Sequence, residues 1–155
     1  MNAAAIFLPA QQRRAIDAVL DDVARGDTAL YCELLARLLE ANANDLTRLT
    51  DAARAHDWPT VRACAHRIKG SGGLARCQPL VATAHALEDA ARSYHSVAVT
   101  TSMPHFLAVA NEFNEVLRLL LEAARLTQSE HSIHGMDVQC IARTGTLSAC
   151  TGKTG

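Results

Sequence analysis

The sequence is poor in aromatic residues, glycine and proline, and it contains no long apolar run. Only 4% of its 155 residues are aromatic, and it holds 8 glycines and 4 prolines. β-Sandwiches and barrels are enriched in aromatic and β-branched residues, so this composition favours helices instead. Because no run reaches about 18 apolar residues, we expect no segment that spans a bilayer.

An excess of charge of one sign is also missing. The sequence has 15 Lys and Arg against 16 Asp and Glu, a formal net charge of −1. Nucleic-acid binding requires a basic surface, so this class of function is disfavoured. The five cysteines form no CxxC pair, and the first ten residues lack the basic start of a signal peptide. We therefore expect reduced thiols and a cytoplasmic location.

Apolar residues recur at helical spacing, which predicts an all-α protein. Residues 1–26 form an N-terminal helical segment, with Pro9 in the first turn and Gly26 at its end. Further helices are predicted at Asp27–Ala55, Pro59–Leu74, from Gln78 to near Tyr94, and from Ser102 onward. Residues 96–102, which are β-branched and serine-rich, are expected to form a loop. Short connections between these helices favour an antiparallel up-down four-helix bundle over residues 27–127.

Residues 128–155 lose the apolar periodicity. Gly, Ser, Thr and isolated Cys become frequent, which is typical of a flexible tail, either disordered or added for expression. His131 and His134, followed by Cys140, have a spacing that zinc ligands could show. No fourth ligand is evident, so we expect no metal site.

Asn42 interrupts the apolar stripe of the second predicted helix, between Leu38 and Leu46. Polar groups near a core are usually satisfied by hydrogen bonds. We therefore expect Asn42 to lie near the rim of the core with a hydrogen-bond partner.

His66 lies on the side of its predicted helix opposite the apolar stripe. At about 100° per residue, the stripe occupies an arc of about 100°, and His66 lies about 150° from its centre. The stripe consists of Val61, Cys64, Ala65 and Ile68. We therefore expect His66 to face water, and a histidine satisfied within the core is disfavoured.

The helix surface around His66 carries small and basic residues. Residues three and four positions away share that surface; they are Arg62, Ala63, Lys69 and Gly70, and Gly73 lies two turns further on. Each glycine costs a helix about 1 kcal/mol relative to alanine, which suggests that another molecule must come close. An exposed imidazole offers a nitrogen lone pair, and the ammonium of Lys69 would meet a phosphoryl group placed on it.

The segment His66-Arg67-Ile68-Lys69-Gly70-Ser71 resembles the HxxKG[S/A] signature of histidine-containing phosphotransfer (HPt) domains. Asp57-Trp58 before this helix and Leu87-Glu88 in the next helix also resemble the layout of that family. The resemblance covers about residues 27–126. It implies an antiparallel four-helix bundle with the active histidine exposed midway along one helix. Arg76 departs from the pattern, since many members have a small residue at this position.

The resemblance also implies a phosphorelay carrier in a two-component system. His66 would accept a phosphoryl group from a receiver-domain aspartate and pass it to the aspartate of a response regulator, while Lys69 would steady the group. Receiver domains are the implied partners. The residues expected to contact them are Arg62, Ala63, Gly70, Gly73 and Gln78, with His85 and Asp89 as further candidates.

No cofactor is expected in this chain, because the Mg²⁺ and the accepting aspartate would belong to the receiver. The sequence has no GxxxxGK[ST] loop, so we expect neither ATP binding nor self-phosphorylation. We expect a monomer that neither binds nucleic acid nor inserts into a membrane. It would be a free-standing carrier or, as the extra N-terminal segment favours, a module of a hybrid sensor kinase on the cytoplasmic side of the inner membrane.

Two other functions remain open from the sequence. One is a helical adaptor or structural bundle without phosphotransfer, and the other is a metal-binding protein that uses some of the seven histidines. Phosphotransfer is favoured because it alone accounts for the small and basic residues around His66. Phosphate labelling separates it from the adaptor, and stability that depends on zinc would support the metal-binding function.

Overall fold

The computed structural model describes the backbone of residues 7–141 and the side chains of residues 7–129. It contains five α-helices: α1 (Ala10–Val23), α2 (Thr28–Arg54), α3 (Trp58–Leu74), α4 (Gln78–Arg92) and α5 (Ser96–Ile141). No strand occurs within residues 7–141, and the all-α fold predicted from the composition is confirmed. No helix in this range is both long and apolar enough to cross a bilayer.

Helices α2 to α5 form the predicted four-helix bundle. Each of them packs against its two neighbours, since α2 contacts α3 and α5, and α4 contacts α3 and α5. Three-residue connections join consecutive helices, which therefore run antiparallel. The core between them holds buried residues from all four helices, including Leu49, Ile68, Leu87 and Phe113.

Helix α1 is the additional N-terminal helix, and it docks on the long helices α2 and α5. The Tyr31 hydroxyl in α2 donates a hydrogen bond of 2.6 Å to the Asp17 carboxylate. Arg13 forms an ion pair of 2.9 Å with Glu112 in α5. The apolar side of α1 is buried as well. These contacts extend the core beyond the four-helix unit.

Aspartates begin α2 and α3. Asp27 accepts a hydrogen bond from the Leu30 amide, and Asp57 accepts one from the Thr60 amide. Such caps satisfy amides that have no partner inside the helix. The hydrogen bonds from Thr60 also lower the pKa of Asp57. The start of α3, which fixes the rotational position of its residues, thus follows from the sequence.

The four turns between helices share one backbone geometry. A non-glycine residue with left-handed φ follows each helix end: Arg25 (55°), His56 (57°), Arg76 (51°) and Tyr94 (52°). The amide after it bonds back to the helix, as when Cys77 donates to the Gly72 carbonyl at 2.8 Å. Arg76 therefore ends α3 in the same way as the other helices end, and its departure from the family pattern leaves this turn intact.

Helix α5 begins earlier than the sequence predicts. The loop expected over residues 96–102 was wrong, because these residues are the first turns of α5. The Ala98 amide donates to Nδ1 of His95, and Val99 is buried in the core. The hydroxyls of Thr100 and Thr101 bond carbonyls four residues back. Packing of Val99 thus outweighs the weak helix propensity of this segment.

Helix α5 also continues to Ile141, so residues 128–141 of the expected tail are helical. Apolar periodicity indicates the packed part of a helix, whereas each residue added to an existing helix gains one backbone hydrogen bond. Residues 142–155 lie outside the described residues. So do the side chains of His131, His134 and Cys140.

Asn42 is buried rather than placed at the rim. It is 2% exposed, and its Nδ2 has no hydrogen-bond partner among the described residues. The expectation of a satisfied rim residue was wrong because Asn42 lies one turn before the buried Leu46, on the inner face of α2. An unsatisfied buried amide costs about 1–3 kcal/mol.

Candidate functional site

Helix α3 places His66 on the outer surface of the bundle. The opposite face packs into the core through Val61, Cys64, Ala65 and Ile68. The His66 side chain is 66% exposed. This exposure agrees with the prediction from helical geometry, and it makes the imidazole accessible to another molecule.

His66 faces a buried carboxylate from α4. Its Nδ1 lies 3.3 Å from Oε1 of Glu88, whose side chain is only 6% exposed. A carboxylate beside Nδ1 favours the tautomer that carries its hydrogen there. Nε2 is then the nitrogen with a free lone pair.

Two cationic side chains lie beside Glu88. Lys69 Nζ donates a hydrogen bond to Glu88 Oε2, and Arg92 lies 3.7 Å from Oε1. The hydrogen bond from Lys69, with the charge of its ammonium, lowers the pKa of Glu88. The carboxylate is therefore ionised at neutral pH. Lys69 lies one turn from His66, as predicted, but Glu88 holds its ammonium.

Glu88 and Arg92 were not predicted as site residues. Glu88 lies between Ala84 and Ala91 on the buried face of α4, and an acid at such a position needs a charged partner. An acid among the apolar residues of this face was the feature of the sequence from which Glu88 could have been predicted as a site residue. Arg92 follows one turn later, where it can reach the same carboxylate.

Two glycines leave the surface beyond His66 open. A Cβ placed at Gly70 or Gly73 would have no atom within 4 Å, so packing inside the protein does not require glycine there. Gly72 differs, because a Cβ at this position would lie 3.2 Å from Cγ of Leu80. Gly72 thus serves the close packing of α3 on α4, while the other two glycines clear the outer surface.

A groove of about 420 Å³ lies between α3 and α4 and reaches His66. Arg62 and Ala63, two of the predicted contact residues, line it together with Arg92 and Tyr94. Arginine side chains thus line the groove beside the histidine, together with the buried carboxylate of Glu88.

The predicted contact residues on α4 lie outside this groove. Gln78 is exposed at the start of α4, ten residues before Glu88, which corresponds to about 15 Å along the helix. His85 and Asp89 form an exposed pair, with Nδ1 2.8 Å from the carboxylate. The structure therefore does not bring Gln78 together with His66.

No cluster of three or more His, Cys, Asp or Glu side chains suited to a metal ion occurs in the described part of the chain. Cys64 is buried on the inner face of α3, and its sulfur accepts a hydrogen bond of 3.2 Å from Arg67. Burial raises the pKa of the Cys64 thiol, which disfavours the reactive thiolate. Arg67 itself is held by the Asp45 carboxylate at 2.6 Å.

Comparison with known protein families shows that residues 33–127 match the model described as the Hpt domain. No curated protein and no solved structure matches the chain. The matched range covers more than half of the chain and includes all of α3 and α4. The chain therefore belongs to the Hpt domain family, whose members carry phosphoryl groups in two-component phosphorelays and interact with receiver domains.

Proposed function

We propose that His66 is the phosphorylated residue of this carrier. It accepts a phosphoryl group from a receiver aspartate and passes it to the aspartate of a response regulator. The observation that carries the proposal is an exposed imidazole whose Nδ1 lies 3.3 Å from the buried Glu88 carboxylate. The open surface at Gly70 and Gly73 gives a receiver room to approach.

The proposed transfer uses the lone pair of Nε2. This nitrogen attacks the phosphorus of the aspartyl phosphate, an N–P bond forms, and the P–O bond breaks so that the aspartate leaves as a carboxylate. The imidazole keeps its proton on Nδ1 and becomes positively charged. Glu88 stabilises that charge at 3.3 Å, and the reverse sequence delivers the group to the next aspartate.

Lys69 supplies positive charge for the phosphoryl oxygens in this proposal. Its ammonium lies one turn from His66 and is 26% exposed, so it can turn outward from Glu88. Charge neutralisation of this kind is the main contribution that a protein makes to phosphoryl transfer. Lys69 thus exchanges one anionic partner for another when His66 is phosphorylated.

The remaining components of the reaction belong to the partner. We assign the Mg²⁺ to the carboxylates of the receiver, the ligands that this ion prefers. The chain acts as a monomeric cytoplasmic module that receives its phosphoryl group from another protein. Membership of the Hpt domain family supports a phosphotransfer carrier over an adaptor. The additional helix α1 favours a module of a hybrid sensor kinase over a free-standing carrier.

The test is phosphate labelling by a receiver domain that carries radioactive aspartyl phosphate, with Mg²⁺ present. We expect label that is labile to acid and stable to base in the wild-type protein, and none in His66→Gln. His85→Gln is the matched control, because His85 is also an exposed histidine with its Nδ1 near a carboxylate, at 2.8 Å. This control should keep full labelling, and helical circular dichroism should be the same in all three proteins.

Two outcomes would contradict the proposal. Persistent label in His66→Gln would place the phosphoryl group elsewhere. Absence of label in the wild-type protein with every receiver domain encoded in the same genome would favour the adaptor function.

A further inference from the structure

We propose that the groove between α3 and α4 holds the acidic active-site edge of the receiver domain, with Tyr94 as its aromatic anchor and Arg62 and Arg92 as its charged contacts. The inference rests on the proposed function, since it names how the partner of His66 is held. The proposed contacts lie outside the HxxKG segment, near the N-terminal end of α3.

The charges of the groove suit an acidic partner. Arg62 is exposed and forms no ion pair among the described residues. Arg92 is 54% exposed, although it also lies 3.2 Å from Asp89. A receiver that binds Mg²⁺ through carboxylates has a negatively charged edge around its reactive aspartate. Such complementary charges accelerate association and orient the two proteins.

The side chain of Tyr94 has no evident role in the stability of the fold, although its backbone forms the turn that ends α4. Its side chain is 68% exposed at the edge of the groove, and its hydroxyl has no hydrogen-bond partner in the part of the chain that the structure describes. Its φ of 52° is left-handed, a conformation that costs a residue with a side chain about 1 kcal/mol. Tyrosine and arginine are enriched among the residues that dominate binding energy at interfaces.

The two sides of His66 therefore differ in what they offer a receiver. Towards the end of α3, Gly70 and Gly73 provide an open surface without side chains. Towards its start, the groove provides the ring of Tyr94 and the guanidinium groups of Arg62 and Arg92, while the third arginine, Arg67, is held by Asp45. Gln78 lies 14 residues before Arg92, about 21 Å away along α4, and is too distant to contact a partner bound in the groove.

Binding is measured apart from chemistry in a His66→Gln background. The probe is each receiver domain encoded in the same genome, activated with beryllofluoride and Mg²⁺, and Kd is measured by calorimetry. We expect Tyr94→Ala and Arg62→Glu each to weaken the tightest complex about tenfold, as for central interface residues.

Two matched controls belong to this experiment. Arg25→Ala changes another exposed residue with left-handed φ (55°), in the turn between α1 and α2. Arg37→Glu reverses another exposed arginine, on α2. Both controls should change Kd less than about twofold, as expected outside an interface. With His66 intact, Tyr94→Ala should raise KM for transfer and leave kcat nearly unchanged.

The inference is overturned if Tyr94→Ala and Arg62→Glu bind as tightly as the parent, or if Arg37→Glu weakens binding as much as Arg62→Glu. Failure of the proposed function has a different signature. In that case the groove variants still weaken binding, but no receiver transfers phosphate to the protein that retains His66.

Discussion

The two faces of helix α3 differ in how closely their residues are packed. On the inner face each position is filled to contact, and even Gly72 has Leu80 within 3.3 Å of the place where its Cβ would stand. On the outer face His66 is 66% exposed, and Gly70 and Gly73 leave open space. The helical repeat separates the two sets of residues by about half a turn. Stability and reactivity should therefore respond to different substitutions in the same segment.

The largest effect on stability is expected from the inner face. Ile68→Ala should lower the free energy of unfolding by about 3 kcal/mol, because it removes buried methyl groups and leaves a cavity. His66→Gln, two residues away, should change it by less than about 0.5 kcal/mol. Urea unfolding followed by circular dichroism measures both. Equal losses would show that the two faces are not separate.

Gly73→Leu tests whether the outer face of α3 must stay open for the receiver. The added side chain would stand in the approach path of the receiver, and we expect transfer to slow about tenfold, an activation cost of about 1.4 kcal/mol. Stability should not fall, since a Cβ at Gly73 meets no atom within 4 Å. Ala86→Leu adds a large side chain on the α5 side of α4 and serves as the control. Unchanged transfer in Gly73→Leu would mean that the open surface is not required for access.

The two neighbouring glycines should respond to alanine with opposite signs. Gly73→Ala should raise the free energy of unfolding by about 1 kcal/mol, because alanine favours the helix and meets no neighbour. Gly72→Ala should lower it by about 1 kcal/mol, since the clash with Leu80 exceeds the gain in helix propensity. Thermal and urea unfolding of this pair provide the measurement. A stabilised Gly72→Ala protein would show that α4 can move away from α3.

An effect of similar size is expected from Glu88, the buried α4 residue that contacts His66 and Lys69. Its pKa is lowered chiefly by the hydrogen bond from Lys69, so the stability that it contributes is present at neutral pH and is lost below about pH 4.5. Glu88→Gln should cost about 1 kcal/mol at pH 7. Its free energy of unfolding should also fall less steeply than that of wild type as the pH drops. Parallel pH profiles would contradict this assignment.

Much of α3 could be predicted from the sequence because local rules determine it. The Asp57 cap and Pro59 set the start of the helix, and the angle per residue then places His66 outside and Ile68 inside. The outer glycines were also identifiable, because Gly70 and Gly73 lie four and seven positions after His66 and therefore on the same face of the helix.

The features that the sequence did not predict depend on contacts between helices. The approach of Glu88 to His66 depends on how α4 rotates against α3, and no spacing within one helix reveals it. Asn42 became buried because the bundle closes over it, and residues 96–102 became helical because Val99 packs into the core. Local propensity is a weak guide where tertiary packing decides.

The shared turn geometry has a practical consequence for work with this protein. Arg25 and Arg76 adopt left-handed backbone conformations that glycine would accept without strain, and neither lines the groove at His66. Replacing both arginines with glycine should raise the melting temperature and leave the surface around His66 unchanged. Such a variant would suit crystallisation of a short-lived complex.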